Sequence, residues 1–81
     1  MNDIENKKQL NFGPQPIAEI MQKNGLKPHD LVEASTQQIT HKMVTRACKG
    51  RKVSPTVKLK IQKALNNVAE KKYKINDLFN Y

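Results

Sequence analysis

Apolar residues recur at helical spacing along most of this chain, and turn-forming residues separate the resulting segments. The first apolar stripe consists of Ile17, Ile20 and Met21, which lie three and four residues apart. Pro16 suits the first position of that helix, and Gly25 suits the left-handed cap that ends it. We therefore predict a short helix that begins at Pro16. The residues before it, 1–15, show no period and are expected to form a flexible arm.

The most regular periodicity predicts a longer helix that begins behind Ser54. Serine followed by Pro55 is typical of an N-cap and first turn. The apolar residues that follow fall within about a 100° stripe, as a core-facing helix requires, with Leu59 roughly opposite. That stripe consists of Val57, Ile61, Ala64, Leu65 and Val68.

The chain ends on residues that a frayed terminus rarely carries. Asn76 is expected to cap a last helical turn. Leu78, Phe79 and Tyr81 follow, and we expect these side chains to dock on the domain's own core or on a partner, such as a second copy of the chain.

The segment between these helices permits two interpretations. Pro28 suits the start of a second helix, and no Gly or Pro interrupts the chain from there to Lys49, so one continuous helix is an alternative. Ser35 and Gln38, however, have the spacing of a capping box. We therefore favour a break and predict a third helix from about Thr36 to Lys49.

This third helix is predicted to have one apolar and one cationic face. With Ile39 at zero on a helical wheel, Met43, Ala47 and Val44 fall between about 40° and 140°. The opposite arc contains only polar residues, several of them basic. These are Gln38, His41, Lys42, Thr45, Arg46 and Lys49.

The distribution of charge along the chain indicates the class of partner expected for this face. The chain carries 15 Lys and Arg against 7 Asp and Glu, a net charge of +8. From residue 34 to residue 69 there are eight bases and no acid, and outside that window seven bases meet seven acids. A field concentrated in this way favours a polyanionic partner over a merely solvated surface.

Other classes of function find little support. The polar start is not expected to be a secretory signal, and no apolar run reaches the length of a membrane span. A single cysteine, Cys48, favours a reducing, cytoplasmic location. His29 and His41 lack an acid at the spacing of a catalytic triad or metal site, and no glycine-rich phosphate loop occurs. We expect no enzymatic activity, no metal and no cofactor.

Each residue type on the polar arc suits a contact with duplex DNA. Glutamine can pair with an adenine edge, lysine or arginine with guanine, and threonine with a base edge or a thymine methyl. Basic residues at the helix end and turn are better placed for phosphates. We predict base contacts from Gln38, His41, Lys42, Thr45 and Arg46, and phosphate contacts from Ser35, Thr36, Lys49, Arg51 and Lys52.

The stretch from Ile17 to Leu65 resembles the phage repressor/Cro-like helix-turn-helix family, also called the xenobiotic-response-element family. The residues that carry the resemblance are Asn24-Gly25-Leu26, Asp30-Leu31-Val32-Glu33, Ile39, Val44, Arg46, Gly50-Arg51-Lys52, Ser54-Pro55, Lys60 to Asn66 and Asp77-Leu78-Phe79. The resemblance implies a compact all-α bundle of four or five helices. It also implies sequence-specific DNA binding in transcriptional control, usually as a dimer, with His41, Lys42, Thr45 and Arg46 at base-reading positions.

The chain departs from the family pattern at three points. The segment from Leu31 to Gly50 is about two residues longer than usual and lacks the customary glycine in its turn. Pro28 stands where the family tends to carry a phosphate-binding glutamine, and Val32 stands where a small alanine is usual.

The sequence thus predicts one helix-turn-helix domain, residues 16–81, that binds duplex DNA as a transcriptional regulator. The alternative is a protein-interaction module that docks through Leu59, Leu78, Phe79 and Tyr81. RNA ranks lower as a partner because the aromatic residues, which could stack on its bases, lie outside residues 34–69. A membrane-surface role ranks lower because the helix behind Ser54 needs its apolar stripe for the core.

Overall fold

A computed structural model describes residues 12–81 of the chain. This part is an all-helical bundle, as predicted, and the prediction of separate second and third helices is confirmed. None of its helices is long and apolar enough to cross a membrane. The five helices of the described residues are α1 (Pro16–Lys23), α2 (Pro28–Ala34), α3 (His41–Lys49), α4 (Pro55–Ala69) and α5 (Ile75–Leu78).

The predicted apolar stripes of α1 and α4 form the centre of the core. Ile17 and Met21 are buried on α1, and Ile61, Ala64 and Leu65 are buried on α4. Helix α2 packs mainly against α4, while one side of α3 packs against α1, α2 and α4. Leu31, Ile39, Val44, Ala47, Leu78 and Phe79 complete the core.

The helix ends follow local signals in the sequence. Gly25 adopts a left-handed φ of 67° after α1, and the Leu26 N–H donates to the carbonyl of Met21 across that turn. Ser54 caps α4, with its Oγ accepting from the Val57 N–H at 3.2 Å. The prediction for α5 is wrong in one respect. Lys74 is the N-cap residue there, and its N–H donates to the Asp77 carboxylate, while Asn76 lies inside the helix.

The start of α3 differs from the prediction. The helix begins at His41, not at about Thr36, because the Ser35 hydroxyl accepts from the Gln37 N–H two residues on and so closes a tight turn. Thr40 is the N-cap residue, and its Oγ1 accepts from the Met43 N–H at 3.1 Å. Ser35, Thr36 and Gln38 therefore lie in the turn between α2 and α3.

The glycine that ends α3 is required by both its backbone and its surroundings. Gly50 has a φ of 88°, a left-handed backbone conformation that residues other than glycine rarely adopt. A Cβ at this position would overlap the carbonyl oxygen of Gly13, which passes directly over it. The Phe12 N–H also donates to the Gly50 carbonyl at 2.8 Å. Close backbone packing therefore fixes the end of α3.

Residues near the two ends of the described chain meet at Gln15. Its side chain is buried, and Oε1 accepts from the Asn80 N–H at 2.7 Å while Nε2 donates to the Gly13 carbonyl at 3.0 Å. Its own N–H donates to the carbonyl of Cys48 in the last turn of α3. Residues 12–15, assigned by sequence to the arm, thus lie against the bundle, and the rest of the predicted arm, 1–11, lies outside the described residues.

The position of the α3 N-terminus can be tested by substitution. Thr40→Ala removes the hydroxyl that caps the Met43 N–H, so we expect the free energy of unfolding to fall by about 1 kcal/mol. Thr36→Ala, in the exposed part of the turn, should change it by less than about 0.5 kcal/mol. Urea unfolding measures both, and an equal or larger loss for Thr36→Ala would contradict a helix that begins at His41.

The two glycines in left-handed turns form a matched pair. Gly25→Ala meets open space and should cost only the backbone term, about 1–2 kcal/mol. Gly50→Ala has the same backbone cost and also forces the Gly13 backbone away, so it should destabilise the protein by at least about 1 kcal/mol more. Thermal unfolding of the two variants provides the comparison, and equal losses would rule out the close approach of Gly13 to Gly50.

Candidate nucleic-acid interface

Helix α3 presents a polar face to solvent. Val44 and Ala47 are fully buried, and Ile39, in the turn before the helix, is 6% exposed. The residues opposite them are exposed, except Thr45, which is half-buried at the edge of the face. The exposed residues of this face are His41, Lys42, Arg46 and Lys49.

Five exposed cations lie on α3 and in the turn behind it, and we call this set the basic face: Lys42, Arg46, Lys49, Arg51 and Lys52. The three on α3 are separated by four and three residues, a spacing that places them on one side of a helix. Within residues 12–81, none of the five lies within 4.0 Å of a carboxylate. Their positive charge is therefore not neutralised by acids of the described chain.

Tyr81 supports the turn that carries the last two of these cations. Its hydroxyl accepts from the Val53 N–H at 3.1 Å and donates to the Arg51 carbonyl at 3.3 Å. The Tyr81 ring stacks on Phe12, with ring centroids 4.2 Å apart and planes within 9°. Tyr81 therefore holds the main chain of the turn between α3 and α4, while the side chains of Arg51 and Lys52 remain exposed.

One lysine of the acid-free window has a structural role instead. Lys58 Nζ donates to the main-chain oxygen of Tyr81 at 2.6 Å and lies 3.8 Å from the centre of its ring. Desolvation lowers the pKa of this amine, and the charge of Lys52 lowers it further. Lys58 thus anchors the C-terminal residues to α4 and does not belong to the basic face.

The turn between α2 and α3, residues 35–40, holds the remaining predicted contact residues. Thr36 and Gln38 are exposed there, and Ser35 is half-buried. The turn is longer than the three or four residues typical of a helix-turn-helix. Lys63 of α4 lines a small cleft of about 150 Å³ together with Ser35 and Thr36. This exposed lysine is an addition to the predicted set, since its neighbours become apparent only when α4 packs beside the turn.

Two of the residues that depart from the family pattern lie on α2. Pro28 is the first residue of α2 and is half-buried, and Val32 is half-buried against the core. The Asn67 side chain donates to the Ala34 carbonyl at 3.1 Å and so joins the end of α2 to α4. Helix α2 is therefore held directly by α4 at the residue where the turn begins.

The single cysteine, Cys48, is half-buried near the end of α3. Burial raises the pKa of the Cys48 thiol to about 11, so the thiol stays protonated near neutral pH, and its Sγ lies 3.6 Å from the Met21 sulfur. No group of three or more metal-ligating side chains occurs among residues 12–81.

Sequence reasoning missed the residues that hold the basic face in place. Gln15 lay in the predicted arm, and only its position next to Pro16 marks it in the sequence. Tyr81 carried a partial signal, because an aromatic residue at the chain end was expected to dock. Both act on the end of α3, through Cys48 and through Arg51 respectively.

No protein-family model, curated protein or solved structure matches this chain.

Proposed function

We propose that this protein binds duplex DNA sequence-specifically, with α3 in the major groove, and acts as a transcriptional regulator. The observation that supports this most directly is the basic face, a set of five exposed cations on α3 and the turn behind it. None of them lies within 4.0 Å of a carboxylate among residues 12–81. A major groove about 12 Å wide admits one helix. Helix α3 suits such a groove because its apolar side is buried against α1, α2 and α4 and its polar side is exposed.

The proposed base contacts lie on the exposed side of α3. Lys42 and Arg46 are one turn apart, and both can donate to guanine O6 and N7. His41 lies at the start of the helix, and Thr45 lies at the edge of the face with a methyl group suited to thymine. Gln38, in the turn before α3, is proposed to reach an adenine edge from outside the helix.

The proposed phosphate contacts flank these residues. Lys49, Arg51 and Lys52 lie at the end of α3 and in the next turn, where they neutralise one strand. Ser35 and Thr36 lie at the other side, and we add Lys63 because it shares their cleft. Contacts of this kind fix the register of a protein on DNA and supply most of the non-specific affinity.

The protein-interaction alternative loses much of the surface it was based on. Leu78 is 0% exposed and Phe79 is 2% exposed, so both belong to the chain's own core. Leu59 alone among the large apolar residues of that set is well exposed, at 48%. A homodimer through the C-terminal residues stays a prediction, and it would have to use Tyr81 and exposed neighbours instead of Leu78 and Phe79.

DNA binding can be tested with a labelled mixed-sequence duplex by fluorescence anisotropy. At about 50 mM salt the full chain should bind, and with some six phosphates neutralised the log of the affinity should fall against log salt with a slope of about −5. The variant Lys42→Gln/Arg46→Gln should bind about 10- to 100-fold more weakly, because two direct contacts are lost. Selection from a random duplex library would then identify the preferred site.

A charge-matched control separates a local contact from a general effect of charge. Lys71→Gln/Lys72→Gln removes the same two charges from exposed positions between α4 and α5. This variant should bind within about threefold of the wild type, since those lysines lie outside the proposed interface. No binding by the wild type at low salt, or equal losses for both double variants, would refute the proposal.

A further inference from the structure

Both histidines of the sequence lie in one cluster. His29 is the second residue of α2 and His41 is the first residue of α3, and their ring centroids are 5.7 Å apart with planes tilted by 39°. The His29 Nε2 also lies 3.2 Å from a carboxylate oxygen of Glu33, one turn along α2. The bend between α2 and α3 brings the two rings together.

This cluster borders the proposed interface. His41 precedes Lys42 of the basic face, and both histidines are exposed. The His29 side chain is 58% exposed although it contacts Glu33. A DNA strand that passes the N-terminal end of α3 would therefore meet both imidazoles on the same side of the protein.

The charged groups around the pair are few. Asp30 and Glu33 lie on α2, Lys27 precedes α2, and Lys42 and Arg46 follow His41 on α3. The Asp30 carboxylate accepts from the Lys27 main-chain N–H at 2.8 Å. Within residues 12–81, neither α1 nor α4 places a carboxylate within 4.0 Å of either imidazole. Glu33 is thus the one described carboxylate in ion-pair contact with the cluster.

Imidazoles change charge between about pH 5 and 8, and two imidazolium ions this close repel each other. The Glu33 carboxylate can offset one of the two positive charges. The phosphates of bound DNA would supply the remaining counter-charge, so that binding favours the doubly protonated state.

We propose that His29 and His41 form a proton-responsive pair at the DNA interface, through which affinity for duplex DNA rises as the pH falls from 8 to 5.5. His29 thereby joins the DNA-contacting residues. The proposal rests on the proposed function. The sign follows from linkage: because DNA favours the charged form, the protonation midpoint is higher in the complex than in the free protein. The added affinity is present at low pH and is lost as the pH rises through the midpoint in the complex.

The test measures the affinity of the full chain for a mixed-sequence duplex from pH 5.5 to pH 8 at constant ionic strength. A midpoint that rises by about one pH unit on binding contributes about tenfold in affinity. We therefore expect the wild-type affinity to increase by between about 10- and 100-fold across this range. The double variant His29→Gln/His41→Gln contains no imidazole and should show a much flatter profile.

A ratio of affinities at pH 5.5 and pH 8 that is at least threefold larger for the wild type than for the double variant supports the proposal, and a smaller difference overturns it. Each single variant should lie between the two. Absence of binding by the wild type at every pH would instead refute the proposed function itself. Both residues are exposed, so the variants should fold, and circular dichroism provides the check.

A second measurement does not depend on the variants. The Hε1 NMR signals of the two imidazoles report their protonation in the wild type, with and without DNA. Both midpoints should move to higher pH when the duplex is added. Midpoints that stay in place while DNA is bound would overturn the proposal.

Discussion

The bend at residues 35–40 is the constraint on which the rest of this structure depends. Without it, the chain from Pro28 to Lys49 would continue as one helix, and its cations would project along a rod. The bend arises because the Ser35 hydroxyl closes a tight turn and Thr40 then caps a new helix. Ile39 lies between Ser35 and Thr40 and is buried in the core, which fixes the rotation of α3 about its own axis. The buried side of α3 thereby faces the bundle and its basic side faces solvent.

The far end of α3 is held by the chain's own distant segments. Gln15 joins the last turn of α3 to the Asn80 main chain, and Gly50 lets the Gly13 backbone pass over the helix end. Tyr81 then supports the turn that carries Arg51. A small core contributes limited stability, so these main-chain contacts matter for a helix that packs on one side only. The basic face is therefore presented on a supported helix.

The sequence predicted much of this fold, and the misses have physical reasons. The starts of α1 and α4 follow from Pro16 and Ser54, since proline and capping residues act locally. The start of α3 did not follow, because a serine can bond either two or three residues ahead and the choice depends on the packing of the turn. The polar face of α3 was predictable from its period. The meeting of His29 and His41, by contrast, depends on the angle between two helices, which no local pattern encodes.

The central claim is that the exposed side of α3 is the surface that meets duplex DNA. Amide chemical-shift mapping of the ¹⁵N-labelled chain during titration with a duplex tests it most directly. We expect the largest shifts in residues 35–52 and at His29 and Lys63, with little change in α5. Shifts centred on Leu59 and Tyr81, or none at low salt, would contradict it.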